Sequence, residues 1–174
     1  MKKPLMVIPL VFLLCFTFNC QQGEEVVEES AVDVEAEKEA IITKFKEELR
    51  IFDELQKEGD ISKIAEAYVS WHTDDAVLMF PGMPAIIGSE NIYDYINDNY
   101  SKVLDEYIFE FPNWKTEELQ VTDDWAFHRF SGIAVLRPKK GEKLIELDRK
   151  YLDIWKKLPN GEWKIAIHSF NLNK

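Results

Sequence analysis

The chain has 174 residues, of which 32 are Asp or Glu and 21 are Lys or Arg, so its formal net charge at pH 7 is −11. An acidic chain of this kind repels nucleic acid and anionic lipid, so we expect no nucleic-acid partner and no charge-driven membrane contact. Both cysteines, Cys15 and Cys20, lie near the amino terminus, which excludes a disulfide or a thiol nucleophile in the rest of the chain.

Residues 1–20 have the pattern of an export signal. Two lysines precede a mostly apolar run over 5–18, which is too short for a membrane span of about 20 residues. The run ends in Thr-Phe-Asn-Cys, which resembles a bacterial lipobox whose cysteine, here Cys20, is lipidated. Thr17 and Asn19 depart from the residues that the pattern prefers, and the alternative is a plain signal peptide. We expect an exported protein of the bacterial cell envelope, attached to the membrane through the lipid alone, with free secretion as the alternative.

Residues 21–37 are acidic and lack an apolar period, which predicts a flexible tether in front of a domain over 38–174. An apolar stripe with three- and four-residue steps predicts a first helix ending near Gly59. Asp60 or Ser62 is expected to cap a second helix, and Gly88 precedes a third. The residues of the first stripe are Ile41, Ile42, Phe45, Leu49, Phe52 and Leu55.

The remaining apolar segments predict β-strands. Two short ones precede the third helix, and longer ones follow it in a meander closed by an Asn160-Gly161 turn. The order of elements indicates an α+β fold with three helices packed on one face of a curved antiparallel sheet. The predicted strands cover 76–80, 85–87, 107–114, 118–122, 125–136, 143–157 and 162–172.

Four segments resemble SnoaL-like proteins, especially the branch known as domain of unknown function 4440. They are EGDISKIAEAYVSWHTDDAVLMFPGMPAIIGSENI at 58–92, TDDWAFHRFSG at 122–132, RKYLDIWKK at 149–157 and NGEWKIAIHSFN at 160–171. The resemblance implies a nuclear transport factor 2-like cone with a cavity at its open end, and it specifies no single activity. His168 stands where many of these proteins have Asp.

The resemblance also implies what the cavity holds. We expect a small, largely apolar ligand and no cofactor. The side chains expected to contact that ligand are Tyr68, Trp71, Met79, Arg129, Tyr151 and Trp155.

Turn spacing predicts one group of neighbouring side chains that is suited to acid–base chemistry. If Lys140-Gly141 and Asn160-Gly161 form two-residue turns, Asp153 lies between His128 and His168 on neighbouring strands. A carboxylate between two imidazoles can orient one of them as a base or raise its pKa. A slip of one residue in the first turn would instead place Arg129 beside Asp153, and the shared face could also be the outer one.

The three histidines do not predict a metal site. His72, His128 and His168 show no i,i+4 spacing and have no cysteine partner in the domain. His72 stands at the junction of the second helix and the first strand, where a surface or capping role is expected.

Three functions are compatible with these features. The first, which we expect, is a binding module for a small apolar molecule or a partner, and the second, an alternative, is an isomerase- or dehydratase-like enzyme that uses His168 or His128 with Asp153. The third is a homodimer formed through the sheet, for which Tyr151, Trp155 and Phe170 would be exposed.

The anchor has a direct test. In a bacterial host, the mature protein should carry a diacylglyceryl-type addition at Cys20 in intact-mass analysis, and Cys20→Ser should lack it and leave the membrane fraction. Cys15→Ser is the control and should behave like the unaltered chain. An unmodified wild-type chain in the soluble fraction would contradict the lipidation.

Overall fold

A computed structural model of the protein describes residues 33–141 and 143–173, so the predicted signal and most of the predicted tether lie outside the described residues. A π-helical segment, Ile96–Tyr100, joins the helix Ser89–Tyr95 to the helix Ser101–Glu106. No helix in the described ranges is long and apolar enough to cross a membrane. The elements are α1 (Val34–Glu58), α2 (Ile61–Ser70), β1 (His72–Met79), β2 (Ile86–Ile87), α3 (Ser89–Tyr95), α4 (Ser101–Glu106), β3 (Tyr107–Val121), β4 (Trp125–Pro138), β5 (Ile145–Lys157) and β6 (Trp163–Leu172).

The folded domain begins earlier than the sequence predicts. Asp33 caps α1 by accepting a hydrogen bond from the Ala36 amide at 3.1 Å, a contact typically worth about 1 kcal/mol. Glu37, assigned to the tether, accepts hydrogen bonds from Lys157 Nζ at 2.5 Å and Trp163 Nε1 at 2.6 Å. These contacts join the first turn of α1 to β5 and β6, so this turn belongs to the domain.

The boundary between α1 and α2 lies where the sequence places it. Gly59 has a φ of 76°, the left-handed conformation that glycine adopts without strain, and its amide donates to the Leu55 carbonyl at 3.1 Å. Asp60 is the cap of α2, accepting from the Lys63 amide at 3.3 Å.

The six strands form one curved, mixed sheet in the order β2-β1-β6-β5-β4-β3. The antiparallel prediction is correct for β3 to β6 but wrong for β1, which pairs parallel with β6. Its partner lies more than 80 residues away, beyond the reach of any local turn signal. The strands predicted at 107–114 and 118–122 are a single strand, β3, whose pairing with β4 continues past two register shifts.

The helices cover the inner face of the sheet and also its β3 edge. The Gln56 side-chain amide on α1 donates to the Phe109 carbonyl and accepts from the Phe109 amide, both at 2.9 Å. This pair satisfies edge groups that would otherwise be free to bind another strand. Two buried apolar clusters lie between helices and sheet, one centred on Ile92 and the other on Trp155.

The connection between β5 and β6 differs from the two-residue turn used in the prediction. The Leu158 amide donates to the Glu162 carbonyl at 2.8 Å, so the loop is one residue longer. A register shift after Ile154 compensates for that residue, and Asp153 is paired with His168 as the turn count predicted.

Gly132 on β4 allows the close approach of β3. A methyl group at this position would lie 2.5 Å from the Asn113 carbonyl oxygen and 3.1 Å from Trp114 Cα. Because both neighbours are backbone atoms, Gly132→Ala should destabilise the protein by about 1–3 kcal/mol in urea unfolding. The control Ser131→Ala removes a hydroxyl that donates a surface hydrogen bond of 2.8 Å to Glu117 Oε1, and it should cost less than about 1 kcal/mol. Equal effects of the two substitutions would contradict the close approach.

Candidate functional site

A cavity of about 300 Å³ lies between the helices and the inner face of the sheet. Its wall is mainly aromatic, and a small number of polar side chains interrupt it. Such a cavity is typical of a small-molecule site. The phenylalanines that contribute are Phe45, Phe52, Phe80, Phe109, Phe111, Phe130 and Phe170.

Asp153 and His168 form a hydrogen-bonded pair in the cavity wall. The two residues are opposite each other on β5 and β6, and His168 Nδ1 lies 2.6 Å from Asp153 Oδ1. The carboxylate is only 1% exposed, whereas the imidazole is 15% exposed. An acceptor at Nδ1 selects the tautomer with the proton on that nitrogen, which leaves the lone pair of Nε2 free. Within the described residues Nε2 has no hydrogen-bond partner.

His128 is adjacent to this pair but takes no part in it. It faces Asp153 in the ladder between β4 and β5, as the turn spacing predicts. Its Nε2, however, lies 3.0 Å from Thr116 Oγ1, and its ring stacks on Phe130. The side chain is fully buried, it does not line the cavity, and burial lowers its pKa. Of the predicted row, Asp153 and His168 are hydrogen-bonded in the cavity wall, and His128 lies outside that pair.

His72 is buried, contrary to the expected surface or capping position. Its ring stacks on Tyr68 with 4.6 Å between ring centroids, and its Nδ1–H donates to the Tyr68 carbonyl at 2.7 Å. Burial lowers the pKa of His72 to about 4, so the ring is neutral at pH 7. It lines the cavity 6.5 Å from the His168 ring.

Glu48 contributes a buried carboxyl group from α1. The residue is 5% exposed and lines the cavity, and its Oε1 has no hydrogen-bond partner among the described residues. Burial raises its pKa well above the ordinary value, and the negative charge of Asp153 acts in the same direction, against Lys44. Burial thus disfavours the charged carboxylate relative to the protonated form, which can donate a hydrogen bond.

Arg149 is two residues before Tyr151 on β5, and both side chains line the cavity. The guanidinium carbon lies 4.4 Å from the Phe170 ring centroid and 5.2 Å from that of Phe109. Burial raises the pKa of the nearby Tyr100 to about 12, so this phenol remains protonated at neutral pH.

Three of the six side chains expected at the ligand line the cavity, namely Tyr68, Trp71 and Tyr151. The other three, Met79, Arg129 and Trp155, lie elsewhere. Met79 alternates with the buried Leu78 on β1 and is 41% exposed, so it points away from the core.

Arg129 and Trp155 are placed by the same alternation along their strands. His128 and Phe130 are buried, so Arg129 between them faces outward and pairs with Glu118 at 3.4 Å. Trp155 does point inward but is completely buried in the core, away from the cavity wall.

The burial of these side chains also corrects the predicted dimer surface. Tyr151 and Trp155 lie on the covered inner face, and Phe170 is half-buried against the cavity. None of the three is exposed for a partner subunit, because the helices occupy the face on which they lie.

Glu48 and Arg149 were not among the site residues predicted from the sequence, although signals for both existed. Glu48 is the one charged residue in the buried series of α1, between Phe45 and Phe52 at helical spacing. Arg149 is four residues before Asp153 on the same strand, so the two-residue alternation places both on one face.

Known proteins share this fold without sharing much of the sequence. No protein-family model matches the chain, and no curated protein matches it. Solved structures do match it. A ketosteroid isomerase-like protein from Erwinia carotovora atroseptica SCRI1043 is 22% identical with a TM-score of 0.56, and the match covers 84% of this chain and 98% of that one.

Two further structures agree with this match. A hexachlorocyclohexane dehydrochlorinase of LinA type 3 from Novosphingobium barchaimii LL02 is 18% identical with a TM-score of 0.60, covering 80% of this chain and 88% of that one. An NTF2-like protein with a cystatin-like fold from Novosphingobium aromaticivorans is 14% identical with a TM-score of 0.59, covering 79% and 82%. The chain has a nuclear transport factor 2-like fold.

In this fold, as predicted, α-helices pack on a curved sheet, although the sheet is mixed instead of antiparallel. Identities this low show the fold and leave the chemistry to the site itself. Among residues 33–141 and 143–173, no group of three or more His, Cys, Asp or Glu side chains is arranged to hold a metal ion.

The buried His72 should make stability depend on pH. Its pKa is about 4 in the folded state and about 6.5 when unfolded, so only the unfolded chain takes up the proton between these values. Stability contributed by the neutral ring is therefore present above pH 6.5 and is lost as the pH falls to 4, by about 3 kcal/mol in all.

His72→Asn retains a donor for the Tyr68 carbonyl and removes the titrating group. In urea unfolding between about pH 4 and 7.5, the free energy of unfolding should fall less steeply with falling pH in the variant than in the wild type. Parallel curves would contradict the neutral, buried state of His72.

Proposed function

We propose that the cavity is the active site of a cofactor-independent enzyme that moves a proton on a small organic molecule, as an isomerase or a lyase. The observation that carries this proposal is the 2.6 Å contact between His168 Nδ1 and the buried carboxylate of Asp153, in the wall of a cavity large enough for a ligand. A base oriented in this way is a recurring device of general acid–base catalysis.

The pair supplies the base. Asp153 accepts a hydrogen bond from the Nδ1–H of His168 and holds the ring so that the lone pair of Nε2 is available to a substrate C–H group. When Nε2 takes that proton, the ring becomes positive next to the carboxylate, which stabilises the charge. The electrons left on carbon either move to a neighbouring carbonyl oxygen or expel a leaving group from the adjacent carbon.

Glu48 supplies a proton donor from the helix side of the cavity. A neutral carboxyl group can donate a hydrogen bond to the developing oxyanion or protonate a departing group, whereas a carboxylate would repel either one. Its burial and its free Oε1 support this role within the described part of the chain.

The aromatic wall determines what enters. Water is a poor competitor in a cavity lined mainly by phenylalanine, tyrosine and tryptophan side chains, and charges inside interact more strongly than in bulk solvent. The substrate should therefore have an apolar body. The names of two solved structures with this fold, a ketosteroid isomerase-like protein and a dehydrochlorinase, agree with an isomerase or a lyase.

Location and family branch belong to the same proposal. The signal-like sequence pattern at residues 1–20 supports a domain that works at the cell envelope, held through lipid on Cys20. The four quoted sequence segments support membership of the SnoaL-like branch known as domain of unknown function 4440.

The reaction can be tested even though the natural substrate is unidentified. Small carbonyl compounds and halogenated hydrocarbons are incubated with the protein in deuterated water, and NMR follows deuterium uptake at carbon and the release of halide. For any compound that reacts, His168→Asn should lower the rate by about 10²–10⁴-fold, and Asp153→Asn should also lower it.

Arg129→Met is the matched control, because this side chain lies on the outer face and should leave the rate unchanged. A compound that binds in the cavity and never exchanges or loses a group would favour the alternative of a binding module. Unchanged rates in His168→Asn would refute the assignment of the base.

A further inference from the structure

We infer that Arg149 forms an anion-binding subsite at one end of the cavity, so that the ligand is a small organic acid with a carboxylate on an apolar body. The inference rests on the proposed function for the identity of the reacting end and adds the class of compound that the site accepts. Its support comes from the guanidinium and the groups around it.

Arg149 is the only Lys or Arg among the described residues that line the cavity. It forms no salt bridge with any residue in 33–141 or 143–173, and its Nε is buried without a hydrogen-bond partner there. A positive charge that is partly buried without a counter-charge is costly. A ligand anion would remove that cost and gain from the same low-dielectric surroundings.

Two aromatic rings hold the guanidinium in place. Phe170 and Phe109 lie 4.4 Å and 5.2 Å from its central carbon. Stacking of this kind uses the faces of the planar group and leaves its N–H donors free at the edge. Those donors match the two oxygens of a carboxylate, a geometry that lysine cannot reproduce.

Phenolic hydroxyl groups complete the subsite. The Tyr151 hydroxyl is buried beside the Arg149 guanidinium; burial raises the pKa of this phenol while the guanidinium acts to lower it, and Tyr100 and Tyr95 also line the cavity near Arg149. Protonated phenols donate hydrogen bonds to anions, so a carboxylate here would meet donors of two kinds.

Asp153, an acidic side chain of the cavity wall, is paired with His168 and forms no salt bridge with Arg149. Asp153 is four residues from Arg149 along β5, which separates their Cα atoms by about 13 Å, and Asp153 is already engaged with His168. Phe170 bridges this gap, because its ring centroid is 4.4 Å from the guanidinium carbon and 6.4 Å from the His168 ring centroid. A ligand held at Arg149 by its carboxylate would therefore present its apolar body to His168.

The subsite is tested by binding, which does not depend on turnover. Benzoate, 3-phenylpropanoate and 2-naphthoate are each compared with their primary amides by calorimetry and ligand-observed NMR at neutral pH and low salt. The wild-type protein should bind at least one acid ten or more times more tightly than its amide. Arg149→Met should remove this preference by weakening acid binding much more than amide binding, while Arg149→Lys should keep part of it.

Each outcome decides one statement. Equal binding of acid and amide for all three pairs in the wild type, or a preference that persists in Arg149→Met, would overturn the subsite. The wild-type comparison decides the matter if the methionine variant does not fold. His168→Asn should keep the preference for the acid. If acids are preferred over amides but no compound exchanges a proton, the proposed enzyme is overturned and the subsite stands. If neutral compounds exchange protons but acids are not preferred over amides, the subsite is overturned and the proposed enzyme stands.

Discussion

The cavity depends on the register between β4, β5 and β6. Side chains alternate across a strand with a period of two, so one residue of slip would turn the whole inner row of β5 toward solvent. In the observed register, Arg149, Tyr151 and Asp153 share the covered face, and Asp153 lies opposite His168. The pair of carboxylate and imidazole and the aromatic wall around it follow from this one constraint.

The register is robust because more than one feature sets it. The loop between β5 and β6 is one residue longer than a tight hairpin, yet the shift after Ile154 restores the pairing before Asp153 is reached. On the other side, the pairs between β4 and β5 run from Trp125 to Leu136 without interruption. A bulge next to a site commonly re-aims a side chain, and here it returns His168 to the face of the cavity.

The polar groups of the cavity differ because their surroundings differ. Burial lowers the pKa of His72 to about 4 and raises the pKa of Glu48 well above its ordinary value, whereas Asp153 has an imidazole partner. Arg149 keeps its charge, since a guanidinium group does not release its proton under such conditions. One cavity thus combines a hydrogen-bonded imidazole–carboxylate pair, a buried carboxyl group and a fixed cation within an apolar wall, an arrangement that supports the proposed proton transfer.

Local patterns in the sequence were sufficient for much of the architecture. The apolar stripe of α1 and Gly59 with Asp60 determined the first helices and their boundary, and the turn spacing before β5 placed His128 opposite Asp153, because each depends on residues close together in the chain. The pairing of Asp153 with His168 also needed the register shift after Ile154, which the turn signal does not predict. Only the tertiary structure decided which face of the sheet was covered, and with it the positions of Arg129 and Trp155. It also placed β1 beside β6, buried His72, and aimed Glu48 and Arg149 into a shared cavity. Those outcomes depend on packing between segments far apart in sequence, where no local periodicity carries the information.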